Sequence, residues 1–159
     1  MRDKLYNAVK GALPESIMLE IIFVDDDQDD LFLLKKALNE IVEEVAIYYA
    51  RCGMDLLYLL GQRFPDYLVM DINMPSQSGL ECLKMLRSQR KYDSIPIVIY
   101  STAGDDALIA KCYKAKANYF VIKPRSYAQV ITVIQKILSL DWQSKKIVSM
   151  SEFVIAERK

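Results

Sequence analysis

The amino-acid sequence predicts an α/β fold: a doubly wound sheet of five parallel strands with helices on both faces. Two observations carry that expectation. Short runs rich in branched apolar residues alternate five times with longer segments of helical period. The short runs are also apolar at consecutive positions, which is the pattern of parallel strands buried on both faces between helices.

Leu19–Asp25 (LEIIFVD) is the first strand, ending in acids. Asp29–Ile41 follows as a helix, with Leu31, Leu34, Leu38 and Ile41 at helical spacing behind acids that suit a helix N-terminus. Val45–Tyr49 is the second strand, and Gly53–Arg63 the second helix through Leu56, Leu57, Leu59 and Leu60. Tyr67–Asp71 (YLVMD) is the third strand, with Pro75 and Gly79 marking the loop after it. Leu80–Arg90 is the third helix and Ile95–Ser101 (IPIVIYS) the fourth strand. Gly104–Lys116 is a more polar fourth helix, and Tyr119–Ile122 the fifth strand. A last helix from Ser126 to Leu140 turns Val130, Ile131, Ile134 and Leu138 inward. Right-handed crossovers wind such a chain on both sides of its sheet, and analogy with flavodoxin-like sheets gives the strand order 2-1-3-4-5. Residues 19–142 make up this core. Residues 1–18 form an extension with a short amphipathic helix through Leu5, Val9 and Ala12–Leu13. In the second extension, residues 143–159, apolar positions mix with charges and the pattern selects no structure.

Composition removes many function classes. Lys plus Arg is 21 and Asp plus Glu is 21. That zero balance argues against a general nucleic-acid or membrane-surface binder, whose affinity comes from clustered positive charge. Histidine is absent, which rules out Ser-His-Asp triads, HExxH metal sites and an imidazole base. The 5 glycines, at 11, 53, 61, 79 and 104, build neither a Walker loop nor GxGxxG. Cys52, Cys82 and Cys112 are odd in number and scattered, as reduced thiols of a cytoplasmic protein are. No apolar run is long enough to span a bilayer, and Pro14, Glu15 and Glu20 interrupt the one stretch that resembles a secretory signal.

In an open parallel sheet, ligands bind outside the carboxyl ends of the strands. The first strand ends in Asp25, Asp26 and Asp27, the third in Asp71, the fourth in Ser101 and Thr102, and the fifth in Lys123. Carboxylates gathered in one crevice cannot all stay charged without a cation. Hard oxygen donors in small number suit Mg²⁺. An EF-hand is excluded, because no Gly stands at the sixth position from Asp25 and the twelfth is Lys36. Zinc is excluded by the lack of histidines and paired cysteines. With Mg²⁺ in place, a carboxylate can attack a phosphoryl group and form an acyl phosphate, with Lys123 and Ser101 holding the transferred oxygens.

These residues carry a resemblance. FVDDD at 23–27, DYLVMDINMPSQSGLE at 66–81, PIVIYSTA at 96–103 and YFVIKP at 119–124 are similar, in order, to the receiver domain of two-component response regulators, a CheY-like fold. The resemblance implies Asp71 as phosphoacceptor. It implies Asp25 and Asp26 as the acid pair holding Mg²⁺, Asp26 directly and Asp25 through water, with the Asn73 backbone carbonyl completing the set. Ser101 takes the family's Thr/Ser role on a phosphoryl oxygen, and Lys123 pairs with the phosphoryl group. Phe120 stands where a Tyr or Phe rotamer follows phosphorylation, and Lys123–Pro124 resembles the family's cis bond. Ala103 occupies a position where polar side chains influence attack by water, so alanine there implies a long-lived phosphoryl state. Asp27, Asp29 and Asp30 are expected as a solvated helix N-terminus.

The output surface expected from the resemblance is the fourth helix, fifth strand and fifth helix. From Ala107 to Leu140 it carries six basic residues (Lys111, Lys114, Lys116, Lys123, Arg125, Lys136) and no acid. A solvated basic face, and an acidic partner or a homodimer, account for this equally well. Glu20–Asp30 holds six acids and no base, an asymmetry able to steer a partner kinase. Seventeen residues follow Trp142, too few for a DNA-binding or catalytic module, so the expectation is a single-domain, cytoplasmic response regulator acting by protein contact. Without histidine, its donor is another protein: a sensor histidine kinase or a histidine phosphotransfer protein. Two rival functions share parts of this pattern. A Mg²⁺-dependent aspartate-nucleophile phosphohydrolase would carry its nucleophile on the first strand in a DxDxT pattern, with further acids after the lysine. Here Asp25-Asp26-Asp27 is followed by Gln28 and Asp29, and no acid occurs between Lys123 and Asp141. An unphosphorylated receiver-like scaffold is disfavoured because every core site residue is present.

Overall fold

A computed structural model describes residues 18–140, 142 and 148–155. In chain order the elements are β1 (Leu19–Val24), α1 (Gln28–Ile41), β2 (Val45–Ala50), α2 (Gly53–Leu60), β3 (Tyr67–Met70), α3 (Gly79–Arg87), a 3₁₀ turn at Arg90–Tyr92, β4 (Ile97–Ser101), α4 (Asp106–Lys114), β5 (Tyr119–Ile122), α5 (Tyr127–Leu138), α6 (Met150–Phe153) and β6 (Val154–Ile155). The sheet is wholly parallel, in the order β2-β1-β3-β4-β5-β6. The predicted order is correct for five strands, and the count is corrected to six.

The sixth strand comes from the segment whose apolar residues followed no period. Val154 pairs with Phe120 and Ile155 with Val121. A bare β5 edge would leave a row of unpaired N–H and C=O groups. Two residues of β6 cover part of that row, and Phe153 just before them is fully buried. The amphipathic helix expected through Leu5, Val9 and Ala12–Leu13 lies outside the described residues.

Each strand divides its side chains between two cores. Ile22, Val24, Leu68, Met70, Ile97, Ile99 and Phe120 enter the layer covered by α2, α3 and α4, together with Phe153. Leu19, Ile21, Phe23, Val69, Val98 and Val121 enter the layer beneath α1 and α5. Burial on both faces is why these strands lack a period-two pattern. Outer strand β2 is only half-buried over most of its length.

Helix ends differ from the predicted ones where side chains cap them. Asp27 is the N-cap of α1 and accepts from the amide of Asp29 at 2.9 Å. Ser78 and Ser126 form capping boxes with Glu81 and Gln129. Asp105 caps α4 at 3.0 Å from the Leu108 amide, so the helix begins two residues later than Gly104. After α4 the chain turns through Lys116 at φ 65°, and its carbonyl accepts from Arg87 Nε at 2.9 Å. The same guanidinium donates to the carbonyls of Tyr92 and Ile95 and to Asn118 Oδ1, which also takes the Ile97 amide. Arg87 thereby ties the end of α3 to the starts of β4 and β5.

Candidate functional site

Parallel register brings the strand ends to one level. Met70 lies beside Val24 and Ile99, so the residues that follow, Asp25, Asp71 and Tyr100, stand in a row, with Ser101 and Lys123 one step on. Backbone bonds continue the ladder past the strands: Asp71 N donates to the Val24 carbonyl at 2.8 Å, and Lys123 N to the Ser101 carbonyl at 2.8 Å. Gly79 lets α3 start against this row. Its amide donates to the Ile72 carbonyl at 2.9 Å, and a Cβ at this position would run into the carbonyl of Asp71.

Three carboxylates and one ammonium meet at the centre. Lys123 Nζ lies 3.0 Å from Asp25 Oδ2, 2.6 Å from Asp30 Oδ2 and 3.2 Å from Asp71 Oδ2. Asp25 and Asp71 are buried, at 3% and 7% exposure, while Asp26 faces solvent. One carboxylate oxygen from each of Asp25, Asp26 and Asp71 lies within 4.8 Å of the others. The other oxygens of the two buried acids are held by backbone: Asp25 Oδ1 accepts from the Asp27 amide at 2.9 Å, and Asp71 Oδ1 from the Asn73 amide at 3.2 Å. Ser101 is fully buried and its Oγ accepts from the Ala103 amide at 3.2 Å. The Tyr100 ring lies beneath the lysine, its centroid 5.6 Å from Nζ.

Burial raises the Asp25 carboxyl above the usual aspartate value, against the pull of the Asp27 amide and of Lys123, and with help from the charge of Asp71. Burial by itself would lower the Lys123 ammonium. The hydrogen bonds to Asp30 and Asp25 and the charges of Asp25 and Asp71 outweigh it, and its pKa rises. The lysine is therefore a fixed cation, and the acids around it exceed its charge. Such a pocket of hard oxygens, with no imidazole or thiolate ligand among the described residues beside it, fits a small divalent cation.

Most of the residues predicted from sequence meet here: Asp25, Asp26, Asp71 and Lys123 directly, with Asn73, Ser101 and Ala103 around them. Phe120 is fully buried, one strand residue inward from the site, with its ring 6.3 Å from that of Phe153. Two expectations are corrected. No peptide bond among the described residues is cis, so Lys123–Pro124 is trans. The trans form is the ordinary preference of an X–Pro bond, and three acids already hold the lysine in the pocket. Asp30 is not a solvated helix-end acid, since it makes the shortest of the three lysine contacts. Its position in the first turn of α1 favours an acid on dipole grounds alone, which hid the second role. Nothing in its local sequence distinguishes it from Asp29.

Residues 21–135 match the family model described as the response regulator receiver domain. A chemotaxis protein CheY homologue of Campylobacter jejuni is 29% identical over 107 residues, covering 67% of this chain and 82% of its own. Among solved structures, the phosphorylated cyanobacterial phytochrome response regulator RcpA aligns with TM-score 0.71 at 24% identity, over 82% of this chain and 97% of that one. The Mn²⁺-bound form of response regulator Rcp1 aligns with TM-score 0.69 at 20% identity, over 82% and 99%. The chain belongs to the response regulator receiver domain family, and its role is that of a phosphoacceptor in two-component signalling. Among the described residues no helix is long and apolar enough to cross a membrane.

Proposed function

We propose that Asp71 is the phosphoacceptor, and that it takes its phosphoryl group from a phosphohistidine on a sensor kinase or a histidine phosphotransfer protein. The observation that carries this reading is the meeting of Asp71 and Asp25 on one ammonium, at 3.2 and 3.0 Å, with Asp26 beside them. In the transfer, an Asp71 carboxylate oxygen forms a bond to phosphorus as the P–N bond to the imidazole breaks. The departing ring nitrogen keeps the bonding pair. Lys123 stands ready to neutralise the transferred oxygens, and the buried Ser101 hydroxyl donates to one of them. The Asn73 amide orients the nucleophile through Asp71 Oδ1. Asp25, Asp26, Asp71 and the Asn73 carbonyl would hold Mg²⁺. Bound there, that ion supplies positive charge against the phosphoryl oxygens.

Phosphorylation replaces the single negative charge of the Asp71 carboxylate with close to two on the phosphoryl oxygens, a net gain of about one. Drawing Ser101 toward them opens space beside Phe120, and the face of α4, β5 and α5 carries the change to a protein partner, a downstream target or a second copy. In this chain β6 and Phe153 are part of that face. Ala103 offers no polar group to an attacking water, so the acyl phosphate is long-lived.

Acetyl phosphate with Mg²⁺ tests the assignment. The wild-type chain gains a hydroxylamine-labile phosphoryl group visible as an intact-mass shift, and Asp71→Asn gains none. Uptake by Asp71→Asn at the wild-type rate would overturn it.

A further inference from the structure

An ammonium has three N–H donors, and at Lys123 all three are matched by carboxylates, Asp25, Asp30 and Asp71. One phosphoryl oxygen takes the place of the Asp71 carboxylate oxygen, which makes the longest of the three contacts at 3.2 Å, and a second gains this ammonium only by displacing Asp25 or Asp30. Asp71 itself carries the new group. Asp25 is the most enclosed of the three, with its side chain 5% exposed and its other oxygen fixed by the Asp27 amide. Asp30 is the most exposed, at 27%, and its carboxylate stands on the rim in the first turn of α1. It is the partner that can turn to water at least cost.

We infer that Asp30 is a positioning residue that holds Lys123 in the resting site and competes with the phosphoryl group for it. The inference rests on the reading of Asp71 as phosphoacceptor and adds a regulator to that site. In the resting state Asp30 takes part of the lysine's charge, which leaves Asp25 and Asp71 more available to a cation. In the phosphorylated state the lysine leaves Asp30 for the phosphoryl oxygens, and the tie between α1 and the end of β5 opens. Asp30 thus sets both the metal affinity of the resting form and the strength with which the acyl phosphate is retained.

The two consequences have opposite signs, which makes them separable from a loss of fold. Calorimetric titration of the full chain with Mg²⁺ alone, and then with beryllofluoride in saturating Mg²⁺ as the phosphoryl stand-in, reads both. Asp30→Asn is expected to weaken Mg²⁺ and tighten beryllofluoride, each by about fivefold, the order of one partly exposed ion pair. Asp30→Glu keeps the charge and stays near wild type. Asp29→Asn, the same charge change one residue away with no contact to Lys123, controls for the general field and is expected to shift neither affinity by as much as about twofold. Equal effects of Asp30→Asn and Asp29→Asn would overturn the role given to Asp30, as would a Mg²⁺ change without a beryllofluoride change. A wild-type chain that binds no beryllofluoride would overturn the Asp71 reading instead.

Discussion

Strand β5 belongs to two regions built on opposite terms. At its carboxyl end Lys123 joins a crowd of acids whose charges exceed its own, and burial pushes Asp25 toward its neutral form. Along its outer edge, β6 and Phe153 close an apolar seam in which Phe120 and Phe153 are both fully buried. The seam lowers the free energy of the fold, whereas the pocket raises it to keep charge where a cation and a phosphoryl group are to bind. Stability and function are opposed in one region and aligned in the other, and mutations in the two regions should differ in sign.

The largest effect is expected in the seam. Phe153→Ala removes a fully buried ring packed on Tyr113 and Phe120 at centroid distances of 5.1 and 6.3 Å. Large-to-small core changes of this kind cost about 3–5 kcal/mol. Urea unfolding should show that loss, with acetyl phosphate labelling retained at temperatures where the variant is folded. A loss below about 1 kcal/mol would mean that the seam is only a loose attachment.

The pocket should respond the other way. Asp25 has a folded pKa above its ordinary value of 3.8, so ionising it favours the unfolded chain once pH exceeds that value. Asp25→Asn is therefore expected to melt above wild type at neutral pH without metal. Lys123 keeps Asp30 and Asp71 as partners, so no buried cation is orphaned. The gain should shrink as pH falls toward 3.8 and wild-type Asp25 takes up its proton. Thermal melts across pH check the sign, and a variant that melts lower at neutral pH would show that the Lys123 pairing outweighs burial.

How far the two regions could be read in advance follows the same divide. The pocket was legible because a parallel sheet sends its strand ends to one side. The acids after Val24 and Met70, the serine closing β4 and the lysine after Ile122 therefore converge once the strands are recognised. The second role of Asp30 is hidden in the sequence because its partner is distant and a helix N-terminus explains an acid without it. The seam was illegible for a different reason. Val154–Ile155 is too short to show a period, and its pairing with Phe120 and Val121 depends on a long-range contact that no local pattern encodes. The place of Asp27 at a helix start is legible by contrast, since N-capping needs only neighbouring amides.

The smallest predicted effect asks how the seam is fastened ahead of Phe153. Tyr113 on α4 donates its hydroxyl to the Val148 carbonyl at 2.8 Å while its ring meets Phe153 edge to face. Tyr113→Phe keeps the ring and deletes only the hydrogen bond, whose net worth is about 1 kcal/mol or less at a half-buried site. Global unfolding should barely move. Amide exchange at Ile155 should speed up by up to about fivefold, because one anchor on the segment has gone while the sheet beneath it is unchanged. If exchange at β1 and β3 amides accelerates by the same factor, α6 and β6 open only together with the whole domain. Exchange confined to β6 would make the edge strand a separate unit, held to β5 on its own terms and able to part from Phe120 without unfolding the site.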